Sequence, residues 1–148
     1  MQIGAGGTIG NVITIAVNNA TTLTFARNDT WSTPDAAVIS SPITINSGGT
    51  VASGGFFTTI WNLTLNGGTL TSNGGSSAAY GTFDLAGTVT ATAGVTSSIT
   101  TGSGTNNVIN LGAGTTASNT TFNVGAGGTL NVGTVLQDHH YKLSLIHI

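Results

Sequence analysis

The chain has few of the residues that most soluble domains carry on their surfaces. Its 148 residues contain no Cys, two Pro, two Lys+Arg and four Asp+Glu, so that only 4% are charged, whereas an ordinary domain has roughly a quarter. The absence of Cys excludes a disulfide framework and thiolate zinc sites. One Arg and one Lys cannot form the basic patch that nucleic acid requires. We therefore expect no nucleic-acid partner.

Helix formers and long apolar runs are missing as well. Glu is absent and Lys occurs once, which excludes coiled coils and helical bundles. No apolar run approaches the roughly 20 residues of a transmembrane helix, so we expect no membrane insertion by this segment. Hydrophobic residues nevertheless reach 39% at a net charge of -2, which argues against disorder. Thr, Ser, Asn and Gly fill 78 of the 148 positions.

Short stretches in which apolar and polar residues alternate predict β-strands. Examples are Ile43-Thr-Ile45, Leu63-Thr-Leu65 and Phe83-Asp-Leu85. Stretches of this kind, rich in Thr and β-branched residues and bounded by Gly or Asn, are typical of strands. Because no segment has the helical spacing of apolar residues, we expect almost no helix.

A longer period joins these strands. Ile43, Leu63 and Phe83 recur at one constant spacing, and Asn46 and Asn66 repeat at the same spacing. Such a repeat without helices predicts an all-β, single-stranded parallel β-helix (a β-solenoid) of about 20 residues per turn. Stacked turns bring equivalent residues together, so Asn46 and Asn66 are predicted to form a structural asparagine ladder.

The repeat divides the chain unevenly. Residues 1–136 are predicted to be a β-helix repeat fragment, interrupted by an irregular loop at about 26–42 that holds both Pro residues, which cannot donate to a strand ladder. Residues 137–148 form a non-repeat tail. Its last residues, 143–148, match a translation of the transposase mosaic end used in sequencing libraries, and we interpret them as adapter read-through outside the fold.

Two stretches carry a resemblance to a known family. Leu63–Leu70 (LTLNGGTL) and Phe122–Val132 (FNVGAGGTLNV) resemble autotransporter-associated β-strand repeats of bacterial surface and secreted proteins. The resemblance implies a right-handed parallel β-helix in an extracellular passenger or cell-surface protein. It implies a non-enzymatic, structural or adhesin-like role, with no catalytic residues and no cofactor.

Aromatic residues suggest an alternative function. Trp31, Phe57 and Trp61 could form an exposed platform on which sugar rings stack, which would make the chain a polysaccharide-binding β-helix with cell-surface polysaccharide as its partner. Core packing is the other interpretation of these rings. Phe56 and Phe57 cannot both point inward on a regular strand, so one of them is expected at the surface or at a bend.

A glycan lyase or hydrolase is a third hypothesis, because some parallel β-helices cleave polysaccharides. Glycosidases need two carboxylates about 5–10 Å apart. Asp84 has no acidic neighbour at the spacing of the repeat, and Asp29 and Asp35 lie in the irregular loop. The run 138–140 (DHH) could bind a metal but lies in the tail. We expect no catalytic residue and no metal site.

Threonine pairs suggest a fourth hypothesis, an ice-binding solenoid, since flat neutral threonine arrays can bind ice. Thr69–Thr71 and Thr88–Thr90 repeat at a spacing of 19, but Ala52 stands two residues after Thr50. The expected array is therefore only two turns tall. Ordinary strand propensity is sufficient to explain it.

Overall fold

The described part of the chain consists of β-strands joined by turns and loops. The computed structural model describes residues 14–28, 42–75, 77, 80–112 and 119–138. The predicted all-β class is confirmed, because these residues form twelve strands and no helix. The strands are β1 Ile15–Val17, β2 Thr22–Thr24, β3 Ile43–Asn46, β4 Thr50–Ala52, β5 Thr58–Asn66, β6 Thr69–Ser72, β7 Phe83–Ala91, β8 Thr96–Thr101, β9 Val108–Leu111, β10 Thr120–Val124, β11 Thr129–Gly133 and β12 Val135–Asp138.

Parts of the sequence-based predictions concern residues outside this description. Most of the irregular loop (29–41) and most of the tail (139–148) are among them. Strand β12 crosses the predicted end of the repeat region at 136 and continues the pairing to Asp138. Among the described residues, we find no helix with the length and apolar character needed to cross a membrane.

The strands form two parallel sheets. One has the order β1-β3-β5-β7-β9-β12, with β10 also paired to β7, and the other has the order β11-β8-β6-β4-β2. From β1 to β8 the chain alternates between the sheets, so that consecutive strands never pair and each strand joins one from an adjacent turn. Every pairing between these strands is parallel. This arrangement is consistent with a parallel β-helix.

The longer strands β5 and β7 each contribute to two stacks. The first halves of β5 and β7 pair with each other, and β9 then β12 continue this first stack. Their second halves form the second stack, together with β1, β3 and β10. A register shift between Ile60 and Asn62 separates the halves. The five-stranded sheet is the third stack.

The register that the repeat predicts holds for only part of the second stack. Ile43 pairs with Leu63 at the predicted spacing, but Leu63 then pairs with Val89 and not with Phe83, whose partner is Thr58. The predicted stacking of Leu63 on Phe83 is therefore wrong. Both halves of β7 alternate apolar and polar residues, so a period-two pattern cannot tell which stack a segment joins.

The core lies between the stacks and is filled by apolar side chains from alternate positions. Twelve large side chains have less than 2% of their surface exposed, and each such burial is worth about 1.5–3 kcal/mol. Phe25 packs edge-on against Phe83, with ring centroids 6.1 Å apart. The twelve are Phe83, Ile43, Ile45, Ile60, Leu63, Leu65, Leu70, Leu85, Ile99, Ile109, Val51 and Val89.

Candidate functional site

The aromatic residues near the start of β5 form a small cluster. Phe57 is only 5% exposed, and its ring meets Tyr80 edge-on at a centroid distance of 5.8 Å. Its backbone N–H donates to Asn28 Oδ1 over 2.9 Å. Phe57 is thus a buried support, whereas Tyr80, at 54%, presents an aromatic surface to solvent. Tyr80 is not among the residues predicted for the aromatic platform.

Of the two tryptophans of the predicted platform, the structure describes Trp61. Trp61 is half-buried and lies between the two halves of β5, where the strand passes from the first stack to the second. It is four residues beyond Phe57, or about 13 Å along an extended chain. Trp31 lies outside the described residues. The structure therefore places Phe57 and Trp61 on one segment and joins Phe57 to Tyr80.

The two predicted ladder asparagines are hydrogen-bonded. Asn66 Nδ2 donates to Asn46 Oδ1 over 3.0 Å, and Asn46 Nδ2 donates to Asn18 Oδ1 over 2.8 Å. The ladder therefore has three members, one more than the sequence predicted. The loop between β2 and β3 lengthens the turn that separates Asn18 from Asn46, so the period of the repeat could not reveal Asn18. These bonds tie successive turns together at the end of the second stack.

A second row of polar side chains runs along the first stack. Thr59, Asp84, Asn110 and Gln137 are consecutive partners in the strand register. Asp84 stands between Phe83 and Leu85, which both belong to the core cluster, so its side chain is on the opposite face of the strand. We call these four residues the polar row.

Side-chain hydrogen bonds join Asp84, Asn110 and Gln137 of the polar row, whereas the buried Thr59 hydroxyl has no hydrogen-bond partner among the described residues. Thr59, Asp84 and Asn110 each have 0% of their surface exposed. Asn110 Nδ2 donates to Asp84 Oδ1 over 2.8 Å and to the Tyr80 carbonyl over 3.0 Å. Gln137 Nε2 donates to Asn110 Oδ1 over 2.7 Å. The row therefore connects three turns and fixes the backbone beside the exposed Tyr80 ring.

The chemistry available to the polar row is limited by its composition. It contains one carboxylate, whereas acid–base cleavage of a glycosidic bond uses two. Among the described residues there is no group of three or more His, Cys, Asp or Glu that could hold a metal ion. The hydrogen bonds among Asp84, Asn110 and Gln137 order the backbone next to Tyr80. The Tyr80 ring is the exposed surface that this backbone positions.

Sequence reasoning missed the polar row because its members share no residue type and do not follow the period of the repeat. The separation between Asp84 and Asn110, and that between Asn110 and Gln137, both exceed the predicted turn of about 20 residues. Leu63 and Val89 are separated by the same longer interval as Asp84 and Asn110. This second, longer interval between equivalent residues was the signal in the sequence that could have revealed the polar row.

Comparison with known proteins returned no relative: no family model, curated protein or solved structure matches the chain.

Proposed function

We propose that the chain is a non-enzymatic structural segment of an exported bacterial surface repeat protein. Its mechanism is physical, since stacked turns make a stiff and weakly charged support that spaces or presents other segments. The observation that carries this proposal is the unbroken parallel pairing from β1 to β12 and from β2 to β11. A charged residue repeated along such a stack would repel its copies about 4.8 Å away, which explains the scarcity of charge.

The proposed fold is a right-handed single-stranded parallel β-helix. Crossover connections between parallel strands of one sheet are right-handed in about 98% of cases, which supports this hand. The basic turn has about 20 residues, as between β3 and β5. Longer turns, such as the one from Gly87 to its register partner Thr120, contain added loop residues.

The resemblance to autotransporter-associated repeats supports an extracellular location at the bacterial cell surface. The stretches that carry it fall on corresponding parts of the fold: Leu63–Leu70 joins β5 to β6, and Phe122–Val132 joins β10 to β11. Each passes from the second stack to the third through a glycine-containing bend. A repeat motif that forms the same corner in different turns is typical of solenoids.

Polysaccharide binding is the second candidate function, and the exposed Tyr80 ring favours it. The Tyr80 ring packs edge-on against Phe57, and the Tyr80 backbone carbonyl accepts a hydrogen bond from Asn110 Nδ2. A rigid, solvent-facing aromatic ring is suited to stacking on a sugar. Trp61 adds a second aromatic surface in the same strand as the polar row.

A glycan array with the intact chain separates the two candidates. The structural role predicts no specific glycan binding on the array. It also predicts that the protein is accessible to protease and antibody on intact cells of the bacterium that produces it. Specific binding abolished by Tyr80→Ala, Trp61→Ala or Trp31→Ala, with unchanged far-UV circular dichroism, would overturn the purely structural role. Turnover of acidic polysaccharides in the presence of calcium would overturn the non-enzymatic assignment.

A further inference from the structure

The outer face of the five-stranded sheet carries a two-dimensional array of small neutral side chains. Leu23, Val51, Leu70 and Ile99 point into the core, so the residues on either side of each point outward. Strand register aligns the outward residues in two columns. The columns are Thr22, Thr50, Thr69, Ser98 and Asn131, and Thr24, Ala52, Thr71, Thr100 and Gly133; Ala52 is buried and interrupts the second column. We call these ten residues the hydroxyl face.

The hydroxyl face is larger than the sequence period predicted. That period placed Thr69–Thr71 beside Thr88–Thr90, which belong to the second stack. Thr69–Thr71 instead lies between Thr50–Ala52 and Ser98–Thr100. The array therefore spans five strands instead of two, and seven of its ten residues are Thr or Ser.

The spacing of the face follows from strand geometry. Neighbouring strands are about 4.8 Å apart, and outward residues two positions apart in one strand are separated by about 6.6 Å. The hydroxyls thus repeat in two nearly perpendicular directions. Thr71 Oγ1 and Thr100 Oγ1 are 3.2 Å apart and hydrogen-bonded, which shows that neighbouring members of a column are aligned.

The chemistry of the face matches a surface of ordered water. Each hydroxyl can donate and accept a hydrogen bond, and the branched Thr side chain has few rotamers. No member of the face is ionisable, so no charge holds a competing hydration shell. Ice is a neutral lattice of water molecules that each donate and accept hydrogen bonds. The lattice repeats in two directions at distances similar to those between the hydroxyls of the face.

We propose that the hydroxyl face binds the surface of ice. Protein interfaces are typically more apolar at their buried centre, and the face has no large apolar side chain; binding of a glycan to the face would be detected by the glycan array described above. This proposal does not depend on the proposed structural role, because a stiff segment at the cell surface can carry an ice-binding face or lack one.

Thermal hysteresis and partitioning into growing ice test the proposal on the full chain. Thr71→Tyr places a bulky ring at the centre of the face and is expected to reduce partitioning at least tenfold. Thr64→Tyr is the matched control, because Thr64 is an outward, half-buried threonine of the second stack, and it should partition like the unmodified chain.

Ser98→Lys provides a second variant in case Thr71→Tyr does not fold, since its flexible side chain adds a charge to the face without filling it. It should also reduce partitioning, with an unchanged far-UV spectrum. The proposal is overturned if the folded, unmodified chain shows neither hysteresis nor partitioning. It is also overturned if Thr64→Tyr loses as much activity as Thr71→Tyr.

Discussion

A glycine, Gly87, lies where β7 passes from the first stack to the second. Gly87 has φ = +72°, and a Cβ placed on it would lie 2.4 Å from the Trp61 carbonyl oxygen. Gly94 has nearly the same φ, +71°, but a Cβ there would meet nothing within 4 Å. The two glycines therefore differ in steric surroundings and hardly at all in φ, which makes Gly94→Ala a control for Gly87→Ala.

The two substitutions should differ by about 2 kcal/mol or more. The left-handed conformation costs an alanine about 1–2 kcal/mol, and this is the whole expected effect of Gly94→Ala. In Gly87→Ala the new methyl group must also move about 1 Å away from the carbonyl to reach ordinary contact. This movement separates β5 from β7, and each lost ladder hydrogen bond costs about 1 kcal/mol, or up to about 3 if a buried group is left unsatisfied.

Urea unfolding followed by far-UV circular dichroism measures both variants, with the free energy of unfolding obtained by linear extrapolation. We expect Gly87→Ala to lose about 3–5 kcal/mol and Gly94→Ala about 1–2 kcal/mol. Equal losses in the two variants would mean that Gly87 does not pack closely against Trp61.

Two further predictions concern the core and the asparagine ladder. Leu65→Ala should lower the free energy of unfolding by about 2–5 kcal/mol, because Leu65 is 0% exposed. Val135→Ala is the control: Val135 is 60% exposed, so the substitution should change the free energy of unfolding by at most about 0.5 kcal/mol. Comparable effects of the two substitutions in urea unfolding would contradict the described core. Asn46→Ala should cost about 2 kcal/mol because it removes both ladder bonds, and Asn18→Ala about half as much because it removes one. A larger loss in Asn18→Ala would contradict the order of the ladder.

The sequence was most informative where one turn follows another without an insertion. Strands β3 and β5 have identical spacing of inward residues and of the terminal Asn, so alternation and period together predicted their pairing. The prediction failed at Phe83 because the chain between Ser72 and Phe83 forms a long connection. A loop adds residues without changing the alternation of the strands that flank it.

The candidate site was less accessible to sequence reasoning for a related reason. Asn46 and Asn66 could be paired because they are identical residues at the spacing of the predicted repeat. Asp84 and Asn110 differ in type and are joined by a longer turn. The contact between Phe57 and Tyr80 depends on how the connection between β6 and β7 folds back, which no local pattern encodes.

A pair of introduced cysteines tests the register of the stacked turns. The chain has no Cys of its own, so any disulfide must come from the introduced pair. Thr71 and Thr100 are register partners whose hydroxyl oxygens are 3.2 Å apart. Neighbouring strands place Cα atoms about 4.8 Å apart, within the range of about 4.4–6.8 Å that a disulfide requires.

The double variant Thr71→Cys/Thr100→Cys should form an intramolecular disulfide on mild oxidation. Intact-mass analysis would detect it as a loss of two hydrogens that a reductant reverses. The control is Thr71→Cys/Thr90→Cys, the pair that the uniform period of the threonine pairs would bring together, and its thiols should remain free. Cross-linking of the control pair without cross-linking of Thr71→Cys/Thr100→Cys would contradict the account.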